Sequence, residues 1–167
     1  MKWSVVSPLR IVLLDDHALI REALKVRLTT ESDFKVVGVY SGSAELLEAL
    51  RGETADLLLL DYQLRDGELD GLRLIQLLRN HYPELRILIY SSVERPATVN
   101  MAIRAGANGF FGKSQETEEL MRAIRTVALD RLYLSPSMSA ELDSTPKTPT
   151  PGAEEGEAGE NVGTLVN

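Results

Sequence analysis

The feature that most constrains this chain is a run of four leucines, 57–60, that ends in the carboxylate of Asp61. A strand buried on both faces reads as an unbroken aliphatic stretch, whereas a half-buried strand alternates apolar and polar residues. Unbroken strands of this kind occupy the centre of parallel sheets. We therefore expect Asp61 to lie at the carboxyl end of a central strand, which is the edge where open α/β sheets bind their ligands.

The composition of the chain permits such a sheet and excludes several other classes of protein. A length of 167 residues with 44% hydrophobic content suits one globular domain with a tail. The absence of cysteine excludes a disulfide framework and a thiolate metal site, and is typical of the reducing cytoplasm. No apolar run approaches the roughly 20 residues that span a bilayer. The start of the chain is too weakly apolar for a secretory signal, and we interpret residues 1–9 as a leader.

Short aliphatic runs alternate with helical patterns within the first 138 residues, and the folded part of the chain is expected to end near Met138. The predicted strands are 10–15, 34–40, 56–61, 86–91 and 109–111. The predicted helices are 17–29, 43–50, 71–81, 96–105 and 116–129. Two of these helices carry clear apolar stripes, formed by Ile20, Ala23, Leu24 and Leu28 and by Leu120, Ile124, Val127 and Ala128. Five strand–helix repeats predict an α/β fold, a doubly wound five-stranded parallel sheet with helices on both faces.

Chemically active side chains follow four of the predicted strands. Asp15 and Asp16 end the first strand, Asp61 the third and Ser91 the fourth, while Lys113 comes soon after the fifth. All the carboxyl ends of a parallel sheet lie at one edge, so these side chains converge in one pocket. A single aspartate after a strand is more often a helix cap or a turn residue. The joint pattern of acids, hydroxyl and ammonium at one edge favours a functional site instead.

The segments that carry this pattern resemble the receiver domain of response regulators in bacterial two-component signalling. They are VLLDDH (12–17), LLLLDYQL (57–64), ILIYSS (87–92) and RAGANGFFGK (104–113). The segments DDH and LYLSPSM (132–138) further resemble the NarL/LuxR-type branch of that family. The resemblance implies a flavodoxin-like (CheY-like) fold with the strand order 2-1-3-4-5.

The resemblance also assigns roles to the convergent residues. It implies that Asp61 is the phosphoacceptor, that Ser91 and Lys113 assist it, and that Phe110 is an aromatic switch residue. A phenylalanine that only packs in the core is an equal alternative for Phe110. It implies a Mg²⁺ site formed by Asp15, Asp16, Asp61 and the backbone carbonyl of Gln63. Elementary chemistry agrees, because three carboxylates resist ionising together and Mg²⁺ prefers carboxylate, water and phosphoryl oxygens.

The phosphoryl donor implied by the resemblance is a separate protein, a sensor histidine kinase or a histidine phosphotransfer protein. The chain contains no phosphate-cradling G-x-x-x-x-G-K-[ST] loop for a nucleotide. Its two histidines favour structural roles, with His17 opening the first helix beside the pocket and His81 closing the third. Phosphorylation is expected to switch contacts with a partner or within a homodimer.

Two local features depart from the family pattern. The loop after Asp61 is longer than usual and contains three further acids, Asp66, Glu68 and Asp70, which favour a solvated turn over an added cation contact. Ser114 stands after Lys113, where the family often has proline. These differences are expected to affect reaction rates and the choice of partner more than the chemistry of phosphoryl transfer.

The end of the chain differs in composition from the rest. We expect a receiver domain at 10–130, the start of a linker at 131–140, and an acidic, disordered tail at 141–167 with six acids and one lysine. The whole chain has a net charge of −7 and no basic helix, so the sequence predicts no nucleic acid contact and no membrane contact. Either a DNA-binding output domain lies outside this sequence or the receiver works alone.

Three classes of function stay open on these observations. The pattern favours a cytoplasmic, phosphorylatable signalling switch that is not an enzyme acting on other substrates. A Mg²⁺-dependent phosphatase is the second class, although a haloacid-dehalogenase-type enzyme would have a second acid where Gln63 stands. A phosphorylation-independent interaction module is the third.

Overall fold

Strands and helices alternate along the chain in a computed structural model, which describes residues 3–62, 71–135 and 138–139. The strands are β1 (Leu9–Leu14), β2 (Phe34–Tyr40), β3 (Leu57–Asp61), β4 (Arg86–Ser91), β5 (Gly109–Gly112) and β6 (Tyr133–Leu134). The helices are α1 (Ala18–Thr29), α2 (Ser43–Gly52), α3 (Gly71–His81), α4 (Pro96–Ala105) and α5 (Thr117–Ala128). Every predicted strand and helix is present, with ends that differ from the prediction by two residues at most.

One parallel sheet contains the strands in the order β2-β1-β3-β4-β5-β6. The predicted order 2-1-3-4-5 is confirmed. The sheet has six strands rather than five, because the chain after α5 returns and pairs Tyr133 with Gly109 and Leu134 with Phe110. A strand of two residues is too short to produce a recognisable sequence pattern.

β3 lies in the middle of the sheet between β1 and β4, as the leucine run predicts. Its four leucines are each no more than 2% exposed. They divide between two apolar cores on opposite faces, with Leu57 and Leu59 in one and Leu58 and Leu60 in the other. The first core is covered by α1 and α5, and the second by α2, α3 and α4. This alternation is the pleat of a strand that is covered on both sides.

The predicted stripe of α5 is confirmed, since all four of its residues are buried. The predicted stripe of α1 is only partly correct: Leu24 and Leu28 are buried, Ile20 packs at the margin of the core, and Ala23 is exposed. The residues of α1 that reach the core form a narrower stripe than the periodicity indicated. Leu19 and Val26 are also exposed on this helix.

Particular residues fix both ends of α4. Pro96 occupies its first turn, where the missing N–H costs no helical hydrogen bond. Gly106 follows its last residue with a φ of 125°, a left-handed conformation that a side chain would make unfavourable. Arg79 of α3 donates to the Gly106 carbonyl at 2.7 Å and thereby ties the end of α4 to α3.

The segment before β1 is attached to the domain by Trp3, whose indole nitrogen donates to a carboxylate oxygen of Asp33 at 2.9 Å. Arg125 of α5 donates to the other oxygen of Asp33 at 2.9 Å. Within the described part of the chain, none of the helices is both long and apolar enough to cross a bilayer.

Candidate functional site

Three carboxylates meet where β1 and β3 end. β1 and β3 are neighbours, with Leu14 opposite Leu60, so the residues that follow these two leucines lie side by side. Asp15 and Asp61 are each 2% exposed, and the Asp16 side chain is 9% exposed. One oxygen from each carboxylate and a ring nitrogen of His17 all lie within 4.8 Å of one another. The predicted convergence of the three acids is therefore present in the fold.

His17 is the N-cap residue of α1, as predicted, and its ring also reaches the acids. Its backbone N–H donates to Asp15 Oδ1 at 2.8 Å, and its Nδ1 lies 2.9 Å from the same oxygen. Nδ1 is 3.0 Å from Asp16 Oδ1 and 3.5 Å from Asp61 Oδ2. The hydrogen bond with Asp15 is the main cause that raises the pKa of His17, and the charge on Asp16 adds to it. The sequence pattern indicated the cap but not the contact between the ring and the carboxylates.

Lys113 supplies the positive charge of the site. Its Nζ lies 3.5 Å from Asp61 Oδ1, and its side chain is 18% exposed. The ammonium also lies over the ring of Tyr90, 4.8 Å from the centroid, which is a cation–π contact. Burial is the main cause that raises the pKa of Tyr90, and the charges of Asp15 and Asp61 raise it further. The sequence pattern did not indicate Tyr90, because its cation–π contact joins β4 to Lys113, the residue after β5.

Ser91 ends β4 beside these groups and is fully buried. Its Oγ accepts a hydrogen bond from the backbone N–H of Val93 at 3.0 Å, so the hydroxyl closes a turn within its own loop. The Ser91 carbonyl accepts a hydrogen bond from the backbone N–H of Lys113 at 2.8 Å. The ends of β4 and β5 are thus tied together at the edge that carries the acids.

The two phenylalanines of β5 point to opposite faces of the sheet. Phe110 is fully buried in the core covered by α2, α3 and α4, and its ring is 6.3 Å from that of Tyr62, the residue after Asp61. Phe111 lies in the other core and stacks on Tyr90 at 5.7 Å. Phe110 is therefore adjacent to the residue that follows the central acid, whereas Phe111 packs beneath the ring that contacts Lys113.

Some predicted residues do not contribute to this description. Gln63, Asp66, Glu68 and Asp70 lie outside the described residues, and so does the tail at 141–167. His81 is the last residue of α3, as predicted, and is exposed.

The donor set of the acidic cluster suits a hard divalent cation. The Asp15 carboxylate is buried, and its Oδ2 has no hydrogen-bond partner among the residues that the structure describes. A buried carboxylate oxygen without a partner is costly unless a proton or a cation compensates its charge. With the oxygens of Asp16 and Asp61 close by, the residues present fit a Mg²⁺ ion.

Known proteins share the sequence pattern and the fold of this chain. Residues 11–125 match a family model described as the response regulator receiver domain. The transcriptional regulatory protein UhpA of Escherichia coli K12 is 31% identical over 139 residues, which cover 83% of this chain and 68% of UhpA. The chain spans between 57% and 68% of the length of such curated relatives.

Solved structures with this fold include two that are more than one quarter identical to the chain. A LuxR-family two-component response regulator from Aurantimonas sp. SI85-9A1 is 28% identical with a TM-score of 0.76, covering 82% of this chain and 96% of that one. The signal receiver domain of the response regulator NarL from Mycobacterium tuberculosis is 31% identical with a TM-score of 0.68. That match covers 74% of this chain and 98% of the NarL domain.

Proposed function

The chain belongs to the response regulator receiver domain family of two-component systems, and on that premise we propose that it is a switch phosphorylated on Asp61. The phosphoryl donor is a phosphohistidine on a sensor histidine kinase or a histidine phosphotransfer protein. The observation that carries the proposal is the position of Asp61, a buried carboxylate at the carboxyl end of the central strand with an ammonium 3.5 Å away. This is the arrangement that a nucleophilic carboxylate needs for phosphoryl transfer.

The proposed reaction exchanges one bond to phosphorus for another. A carboxylate oxygen of Asp61 attacks the phosphorus atom, and the new O–P bond replaces the N–P bond to the donor histidine. The electron pair of the broken bond stays on the histidine nitrogen. Lys113 stabilises the negative charge on the transferred oxygens, because its ammonium already lies beside Asp61. Ser91 donates a hydrogen bond to the phosphoryl group once its hydroxyl turns toward it.

Mg²⁺ is the cofactor that we propose for this step. Asp15, Asp16 and Asp61 would hold the ion, and the Gln63 carbonyl stays a proposal on resemblance alone. A bound Mg²⁺ supplies positive charge that offsets the carboxylates and the phosphoryl oxygens. The partnerless Oδ2 of Asp15 is the structural observation that supports an ion here.

The switch that follows phosphorylation is proposed to start at Ser91. Its Oγ accepts a hydrogen bond from the N–H of Val93, so a rotation of the side chain that carries Oγ to a phosphoryl group breaks that bond and moves the loop after β4. Phe110 responds because it packs beside Tyr62, which directly follows the phosphoacceptor. A shift of this kind changes which surfaces favour a partner or a second copy of the chain.

The limits of the receiver unit are also a proposal. We take residues 10–130 as its body, 131–140 as the start of a linker, and 141–167 as an acidic tail. β6 and the buried Met138 pack on the body, so the first part of the linker completes the domain. No DNA contact is assigned to these residues, and a cytoplasmic location is proposed because the family's phosphoryl donors act there.

Phosphorylation with a small-molecule donor tests the proposal directly. The protein is incubated with Mg²⁺ and acetyl phosphate or phosphoramidate, and its intact mass is measured. We expect an adduct of one phosphoryl group that is absent in Asp61→Asn. The control is Asp130→Asn, which removes an exposed acid paired with Arg86 at 2.8 Å at the opposite edge of the sheet and should label normally. Labelling that persists in Asp61→Asn would overturn the assignment of the phosphoacceptor.

A further inference from the structure

Glu94 and Ser114 link the loops that follow β4 and β5, close to Ser91 and Lys113. Glu94 lies between β4 and α4, three residues after Ser91, and Ser114 directly follows Lys113 before α5. The Ser114 hydroxyl donates to Glu94 Oε2 at 2.8 Å. No other described hydrogen bond joins the side chains of these two loops, so this bond is their side-chain connection.

Gly112 has no side chain and so leaves the space that the Glu94 side chain occupies. Gly112 is the last residue of β5 and pairs with Ser91 of β4. A Cβ atom at this position would overlap the Glu94 carboxylate and lie 2.8 Å from its Cγ. The Glu94 side chain therefore lies directly on the glycine, and its second oxygen reaches Ser114 on the far side. Two independent observations, a hydrogen bond and a close approach to backbone, define the same position for Glu94.

We propose that the Glu94–Ser114 hydrogen bond holds the loop after β4 in its resting position, and that activation requires its release. The inference rests on the proposed function of Asp61. In the resting arrangement Ser91 Oγ accepts from Val93, which closes the turn that leads to Glu94. When the Ser91 side chain rotates toward a phosphoryl group, the backbone turn that its hydroxyl closes opens and withdraws Glu94 from Gly112. Glu94 and Ser114 are positioning residues that set how readily the receiver activates.

Loss of the bond should make activation easier. A restraint present only in the resting state lowers the apparent affinity for any ligand that selects the active state. Because the bond is exposed to solvent, its effect should be modest, and we expect beryllofluoride with Mg²⁺ to bind Ser114→Ala and Glu94→Ala about threefold to tenfold more tightly than wild type. Gly112→Ala should act in the same direction, since a methyl group there displaces Glu94 while both bonding partners remain.

The test measures beryllofluoride affinity by calorimetry in Mg²⁺ buffer for wild type, the two single variants and their double variant. The double variant should bind no more tightly than either single variant, because all three lack the same bond. Affinity for Mg²⁺ alone should stay unchanged, which separates a restraint on the loop from a general distortion of the pocket. Glu116→Gln is the matched control, because it neutralises an exposed acid in the loop before α5 that caps no helical N–H.

The outcomes distinguish this inference from the proposed function. If wild type binds no beryllofluoride in the presence of Mg²⁺, the role of Asp61 fails and the inference fails with it. If wild type binds and the variants bind equally well or more weakly, only the restraint is overturned. If Gly112→Ala does not fold, the affinities of Ser114→Ala, Glu94→Ala and their double variant still decide the result.

Discussion

Replacing the central acid should stabilise the protein when no divalent cation is present. In Asp61→Asn a neutral amide takes the place of a carboxylate that is 2% exposed and lies within 4.8 Å of an oxygen of each of Asp15 and Asp16. At an effective dielectric constant of about 20, each repulsion at that distance costs about 3.5 kcal/mol. The attraction to Lys113 at 3.5 Å offsets about 4.7 kcal/mol of this cost.

The two repulsions together exceed the attraction by roughly 2 kcal/mol, and the desolvation of the carboxylate adds to the difference. We therefore expect the free energy of unfolding of Asp61→Asn to exceed that of wild type by about 2 kcal/mol in EDTA. For a domain of this size the melting temperature should rise by roughly 4 to 8 °C. The assay is thermal unfolding at about pH 8.5, well above the ordinary pKa of histidine near 6.5, where less of His17 carries a compensating charge.

Addition of Mg²⁺ is the second half of the same experiment. The cation should stabilise wild type and not the variant, so that the gap between the two narrows as the ion concentration rises. Glu48→Gln on α2 is the control, because it neutralises an acid whose side chain is 77% exposed and should change stability by less than about 0.5 kcal/mol. If Asp61→Asn proves less stable than wild type in EDTA, the carboxylates do not repel one another as described.

Three further changes have expected outcomes. Because its hydrogen bond to Asp15 raises the pKa of His17, the histidine stabilises the metal-free fold below about pH 6.5 and loses that effect as the pH rises through its folded-state pKa. Thermal unfolding of wild type and His17→Asn should therefore converge at high pH, and a wild-type advantage that grows with pH would refute this. Arg125 lowers the pKa of Asp33, whose contribution is present above about pH 3.8 and is lost as the pH falls through the lowered value. Arg125→Met should cost about 0.5–2 kcal/mol in urea unfolding at pH 7 and less in acid, because the Arg125 side chain is 37% exposed and solvent screens the pair. An equal cost at both pH values would speak against the pair. Phe110→Ala should cost about 3–5 kcal/mol by the same method, because the ring is fully buried, and a cost under about 1 kcal/mol would show a loosely packed core.

Much of the fold was predictable because its signals are local. The aliphatic run of β3, Pro96 before α4 and the apolar periodicity of α3 each mark an element within a few residues, and α3 and α4 begin and end where predicted. The meeting of the acids was predictable for a topological reason. Parallel strands bring all their carboxyl ends to one edge, whatever their separation along the chain.

The parts that were not predicted depend on contacts between distant segments. The contact of Tyr90 with Lys113 and the bond between Glu94 and Ser114 join β4 and the loop after it to the residues that follow β5. No spacing in the sequence distinguishes these residues from solvated side chains. The exposure of Ala23 depends on where α1 sits relative to the sheet, which periodicity alone does not determine. The reach of the His17 ring to three carboxylates is likewise a matter of side-chain direction.

The short strand β6 also protects the sheet against unwanted association. Without it, β5 would be an edge strand in which Phe110 and Phe111 stand between two glycines, with backbone donors and acceptors open to pairing. Such an edge is a template for a strand of another molecule, and small side chains and apolar residues do little to repel one. β6 covers Gly109 and Phe110 and leaves an outer edge of only two residues. A chain cut before Tyr133 would therefore retain its acidic cluster and its helices, and would associate through the uncovered side of β5.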